Sequence, residues 1–174
     1  KQAERHANYD PLCHIHNRRG WSLKANDLLT QHAQQGGILC FLYIDLDRFK
    51  AINDSYGHDV GDKVLSKVAQ LINNHMRSED AVGRLGGDEF VVMALFSNNE
   101  NINQRVTTFE QKLNALSLKH QGNTIAIYAS VGQINYSEAP KNLDEVLKAG
   151  DEAMYQKKSL RKAQAKQTYT RENA

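Results

Sequence analysis

Nine consecutive residues, Ile38-Leu39-Cys40-Phe41-Leu42-Tyr43-Ile44-Asp45-Leu46, constrain the fold of this chain more than any other stretch. The run is too short to cross a membrane and lacks polar alternation, so it reads as a central strand buried on both faces. Such a strand needs helical cover. Residues 60–76 supply one amphipathic helix, with Val60, Val64, Leu65, Val68, Leu71 and Ile72 at helical spacing. Residues 22–35 supply another, stopped by Gly36-Gly37. Ile102, Val106, Phe109, Leu113 and Leu116 mark a third. Residues 81–85 and 89–96 read as strands on either side of Gly86-Gly87, a pair that tolerates the positive φ of a tight hairpin. Residues 124–134 alternate and are rich in β-formers, which predicts one further strand. Leu143, Val146, Leu147, Gly150 and Met154 mark a last helix. From 38 to 134 the order is βαββαβ, an α+β sandwich with a ferredoxin-like core and extra helices at its ends.

Composition narrows the function classes. The 174 residues are 40% hydrophobic, enough for one core without a disulfide or metal staple. A net charge of +2 is far from the dense basic patches that meet phosphate backbones, so no nucleic-acid partner is expected. Cys13 and Cys40 show neither zinc-site spacing nor a disulfide framework, which fits a reducing, cytoplasmic setting. Residues 1–9 read as a linker, 10–165 as the domain and 166–174 as a tail. The chain starts at Lys1, which fits a piece of a longer protein whose upstream part carries a sensor or a membrane anchor.

The chemistry gathers where the buried run ends. Asp45 and Asp47 are two residues apart, so on a strand they share one face. Asp88 and Glu89 follow the Gly86-Gly87 turn. If the first strand and the hairpin are neighbours, these carboxylates converge. Clustered carboxylates repel one another, and a hard divalent cation removes that cost. Either aspartate alone reads as a helix cap. The pair together with Gly86-Gly87-Asp88-Glu89 reads as a metal site for phosphoryl chemistry.

Gly86-Gly87-Asp88-Glu89-Phe90 resembles the signature of the GGDEF family, the diguanylate cyclases. Other segments resemble that family's motifs in the same order. They are Asn17-Arg18-Arg19, Asp45-Leu46-Asp47-Arg48-Phe49-Lys50, Asn53-Asp54, Gly57-His58-Asp59-Val60-Gly61-Asp62, Ser130-Val131-Gly132 and Asp151-Glu152-Ala153-Met154-Tyr155. The resemblance runs from about Asp10 to Lys162.

The resemblance implies a palm-like fold. It implies a magnesium-dependent enzyme, with manganese an alternative, that joins two GTP molecules into cyclic di-GMP as a homodimer. Asp45, Asp88 and the carbonyl of Leu46 would hold the metal, and Glu89 would assist them or take the proton of the attacking 3′-hydroxyl. Arg48, Phe49 and Lys50, at the start of a helix, would meet phosphate together with Gly86 and Gly87. Asn53 and Asp62 would read guanine, whose N1–H and N2–H donors suit a carboxylate. Lys158 and Lys162 would reach the triphosphate. Here the chain departs from the pattern: Arg161 stands at the family's usual glycine and Lys162 at its usual arginine, and the two cations are not equivalent on planar phosphate. A second departure replaces Thr-Gly-Leu with Cys13-His14-Ile15. Arg77 and Asp80, five residues ahead of the turn, match the family's RxxD site for inhibition by product. The alternative is a GGDEF relative that binds GTP or cyclic di-GMP without turnover.

Overall fold

The computed structural model describes residue 3, residues 7–97 and residues 100–172. The elements that build the domain are α1 (Arg18–Gln35), β1 (Ile38–Leu46), α2 (Phe49–Tyr56), α3 (His58–His75), β2 (Ala81–Gly86) and β3 (Glu89–Phe96). They continue with α4 (Ile102–Leu113), β4 (Ser117–His120), β5 (Asn123–Ala126), β6 (Ala129–Tyr136) and α5 (Leu143–Glu172).

β1 lies inside an antiparallel four-stranded sheet of order β2-β3-β1-β6. That is the ferredoxin-like arrangement, with the first strand between the third and the last. Its side chains alternate between two cores. Cys40, Leu42, Ile44 and Leu46 join Val64, Val68, Ile72, Val106 and Phe109 beneath α3 and α4. Leu39, Phe41 and Tyr43 join Trp21, Leu28, Val146 and Met154 beneath α1 and α5. A fully buried Phe or Leu stabilises such a core by about 2–3 kcal/mol. The run therefore lacks polar alternation because both of its faces are covered.

Two glycines set how closely α5 lies on the sheet. A Cβ at Gly132 would stand 2.4 Å from the Met154 nitrogen, and one at Gly150 would stand 2.2 Å from Phe41 Cε1. This close approach carries the far turns of α5 over the end of β1.

Three elements differ from the sequence reading. The helix marked from Ile102, α4, ends at Leu113, so Leu116 lies beyond it, just ahead of β4. Residues 124–134 form two strands, not one: β5 pairs with β4 in a separate hairpin, and β6 pairs with β1. The switch falls at Ile127, which is buried in the core and donates its N–H to the Leu116 carbonyl at 3.0 Å. Helix α5 continues to Glu172, well past Met154. Its apolar stripe ends where it leaves the sheet, and the rest is built from strong helix formers such as Lys, Arg, Gln and Ala.

Candidate active site

The β1–β3 register sets Asp45 directly across from Glu89. The hairpin turn beyond that pair folds Asp88 back over the strand end, where its carbonyl accepts the Leu46 N–H at 3.2 Å. Gly86 and Gly87 have φ of 144° and 53°, values that side chains beyond glycine rarely adopt. Asp45 is 9% exposed. Burial first, and then the charge and hydrogen bonding of Asp45, push the Asp88 carboxyl up to about 6. Lys158 from α5 donates to Asp45 Oδ2 at 2.6 Å and lies 3.9 Å from Asp47 Oδ1. Burial pulls that ammonium down, but the hydrogen bond and charge of Asp45, then Asp47 and Asp88, outweigh it and hold its pKa above the ordinary value.

Glu89 shares the sheet face of Asp45, yet its Oε2 accepts the Tyr43 hydroxyl at 2.9 Å. Among the described residues, no three His, Cys, Asp or Glu side chains are grouped so as to hold a metal by themselves. The Asp45–Asp88 pair is nonetheless suited to magnesium. It offers hard oxygen donors beside the Leu46 carbonyl, and the burial and the Asp45 charge that raise the Asp88 pKa are costs that a divalent cation relieves.

Next along the chain, Arg48 adopts the left-handed conformation (φ 57°) and α2 begins without a side-chain cap. The N–H groups of its first turn are therefore available to an anion beside the carboxylates. Phe49 packs partly against the core, while Arg48 and Lys50 are exposed.

Asn53 on α2 and Asp62 on α3 come from adjacent helices. Asn53 Oδ1 is buried without a hydrogen-bond partner. A Cβ at Gly61 would stand 1.8 Å from that oxygen and 3.3 Å from Phe49 Cζ, so glycine leaves room for the amide. Asp62 is exposed. An orphaned acceptor beside an open carboxylate suits a ligand edge rich in N–H donors.

Of the two α5 cations in question, Arg161 is the one turned onto the strand end. It donates to Asp47 Oδ2 at 3.1 Å, to Asn114 Oδ1 at 3.2 Å and to the Ala129 carbonyl. Lys162 is exposed and makes none of these contacts.

The sequence reading also missed Arg84. It donates to the Gly87 carbonyl at 2.9 Å and pairs with Asp10 at 3.1 Å, bracing the turn from the N-terminal segment. Asp10 in turn caps the Leu12 and Cys13 N–H groups at 3.1 and 2.8 Å. Tyr43 was missed as well, because inside an apolar run it reads as core. The hairpin pairing that brings its neighbours to Glu89 is the only signal that could have raised it.

Arg77 and Asp80 sit elsewhere, on a cavity of about 560 Å³ between the sheet and the α3 and α4 helices. Arg77 donates to the Leu95 carbonyl at 2.8 Å, lies 4.7 Å from the Phe96 ring centroid, and is 3.5 Å from Asp80 Oδ1. Asp80 is 5% exposed, and burial raises its pKa despite Arg77. Arg105, 5.6 Å from the Phe96 centroid, lines the same cavity.

Comparison with known proteins bears on this geometry. The family described as "Diguanylate cyclase, GGDEF domain" matches residues 7–164. The chain is 34% identical over 157 residues to the cyclic di-GMP phosphodiesterase NbdA of Pseudomonas aeruginosa, covering 88% of this chain and 19% of that protein. It is 33% identical over 151 residues to the diguanylate cyclase DgcP of Escherichia coli, covering 86% of this chain and 44% of that one. This chain thus spans less than half of either relative. Among solved structures, the GGDEF-only fragment of PA1120 (TpbB or YfiN) from Pseudomonas aeruginosa superposes with a TM-score of 0.78 at 30% identity, covering 87% of this chain and 89% of that one.

Proposed function

Since the chain belongs to the GGDEF family of diguanylate cyclase domains, we propose that it condenses two GTP molecules into cyclic di-GMP and releases two pyrophosphates. The observation that carries this reading is the Asp45–Asp88 pair beside the uncapped start of α2. Carboxylates for a cation and backbone N–H groups for an anion stand side by side, as a nucleoside triphosphate with its metal requires.

Asp45, Asp88 and the Leu46 carbonyl would hold magnesium, and manganese has the same donor preferences. Bound there, the metal supplies charge neutralisation and a more acidic 3′-hydroxyl. The remaining work falls to the chain. The first turn of α2, with Lys50, orients the phosphates. Asn53 Oδ1 and the Asp62 carboxylate accept from guanine N–H groups, and adenine would leave them unpaired. Glu89, released from Tyr43 or still braced by it, receives the proton of the attacking hydroxyl. Lys158 balances the carboxylates when the metal is absent, and with Lys162 would meet the triphosphate when it is bound.

Each domain offers one such site, so cyclisation requires two copies facing each other across a two-fold axis. Product would return to Arg77 and Asp80, where an arginine fork suits guanine or phosphate. An upstream sensor in the full-length protein would control the encounter of the two copies. No described helix is long and apolar enough to cross a membrane. We place the reaction in the cytoplasm, where GTP is available.

The test compares wild type with Glu89→Gln and Asp62→Ala on GTP and ATP. Glu89→Gln should fold and bind GTP but lose turnover, and Asp62→Ala should narrow the preference for GTP. Full turnover in Glu89→Gln, or an unchanged base preference in Asp62→Ala, would remove the assigned role.

A further inference from the structure

We propose that Arg161 is a positioning residue for the reaction proposed above, acting through Asp47 and not by gripping the substrate. Its guanidinium joins parts of the domain that are far apart in the chain. One nitrogen donates to Asp47 Oδ2 at 3.1 Å and to the Ala129 carbonyl at the start of β6, and the other donates to Asn114 Oδ1 at 3.2 Å. Asn114 is the C-cap of α4, and the same Oδ1 accepts the Ala129 N–H at 3.0 Å. One turn earlier on α5, Lys157 pairs with Glu110, one turn before Asn114. The two contacts dock the far part of α5 along the end of α4.

Asp47 is the pivot. Its second oxygen accepts the Ser130 hydroxyl at 2.9 Å, and its N–H donates to the Tyr128 carbonyl at 2.8 Å. Both oxygens and the amide are held, so the residue has little freedom to turn. Arg48, the next residue, is left-handed and opens the uncapped first turn of α2. Fixing Asp47 therefore fixes the direction from which the α2 N–H groups approach a phosphate. It also keeps the negative partner in place 3.9 Å from Lys158. Three of the five N–H groups of this guanidinium are already given to protein acceptors, which commits it to the fold before any phosphate arrives. The exposed Lys162 is left to that task. The glycine that the resemblance leads one to expect at 161 could make none of these contacts.

This inference rests on the cyclase reading, and its test separates the two. Arg161→Ala, Arg161→Lys, Asp47→Ala and the Arg161→Ala/Asp47→Ala double variant are compared with wild type. Amide hydrogen exchange over residues 46–50 and 128–130 is followed without nucleotide, binding of a non-hydrolysable GTP analogue is measured, and KM and kcat for GTP are determined. Arg161→Ala and Asp47→Ala should each speed exchange in both segments. Each should weaken analogue binding and raise KM about tenfold, the size of one lost charge-assisted hydrogen bond. For Arg161→Ala, kcat should stay within about twofold, since the reacting groups are untouched. The double variant should be no worse than either single, because both break one linkage. Lysine at 161 cannot reach all three acceptors and should not rescue. The proposal fails if Asp47→Ala leaves exchange and analogue binding unchanged while Arg161→Ala weakens binding, because Arg161 would then hold phosphate directly. It also fails if exchange is unaffected in both. A wild type that turns over no GTP counts against the cyclase reading alone, since exchange and analogue binding still decide the role of Arg161.

Discussion

Replacing Asp88 by Asn should make the metal-free domain more stable while disabling it. In the fold, burial and Asp45 raise the Asp88 carboxyl from an ordinary 3.8 to about 6. A gap of that size corresponds to about 3 kcal/mol, and solvent at this half-buried position screens it to about 1–1.5 kcal/mol. The sign follows from proton counting. Below about pH 4 both folded and unfolded chains hold the proton, and no cost appears. Between about pH 4 and 6 only the folded chain retains it, so raising the pH favours unfolding; above about 6 the full cost is present. Asn keeps the shape and a donor for Asp45 but carries no charge. Urea unfolding without metal should show Asp88→Asn more stable by about 1–1.5 kcal/mol at pH 7.5, with the gain shrinking towards zero near pH 4. Magnesium should reverse the order, because only the carboxylate pair gains binding energy: a hundredfold excess over Kd stabilises wild type by about 2.7 kcal/mol. A variant less stable than wild type at pH 7.5, or a difference that ignores pH, would refute the strained-pair reasoning.

Three further outcomes are expected. Gly61→Ala puts a Cβ 1.8 Å from Asn53 Oδ1 and should force that amide away, weakening GTP binding about tenfold by calorimetry for one lost hydrogen-bonded contact. Tyr43→Phe removes the 2.9 Å hydrogen bond to Glu89 and should cost about 1 kcal/mol in urea unfolding, with slower turnover at unchanged GTP affinity. Arg77→Ala should raise the cyclic di-GMP concentration needed for half-inhibition by at least about tenfold in a turnover assay, with uninhibited activity retained.

How far the fold could be read in advance depended on which residues do the folding. The run from Ile38 to Leu46 and the stripe from Val60 to Ile72 report burial directly, and both elements form where their patterns place them. The β4–β5 hairpin was hidden because its strands are four residues each and stay outside the main sheet, so they carry no core pattern. The turns of α5 beyond residue 162 were hidden for a similar reason: residues 162–169 are exposed and carry no apolar face that would announce a helix. At the site, the meeting of Asp45 with Asp88 followed from the βαββαβ order, since that topology makes β1 and β3 neighbours. The Glu89–Tyr43 hydrogen bond and the Arg161 network did not follow, because each depends on side-chain rotamers across 46 and 114 residues of sequence.

The central claim is the formation of cyclic di-GMP by paired copies. Its most direct test is incubation of this domain with GTP and magnesium over a range of protein concentrations, with chromatographic separation of the products. The account predicts cyclic di-GMP and pyrophosphate, with a rate that rises more steeply than linearly with protein concentration because each product needs two sites. No cyclic product at any concentration, with cyclic di-GMP or GTP still bound, would contradict it and identify a receptor in place of an enzyme.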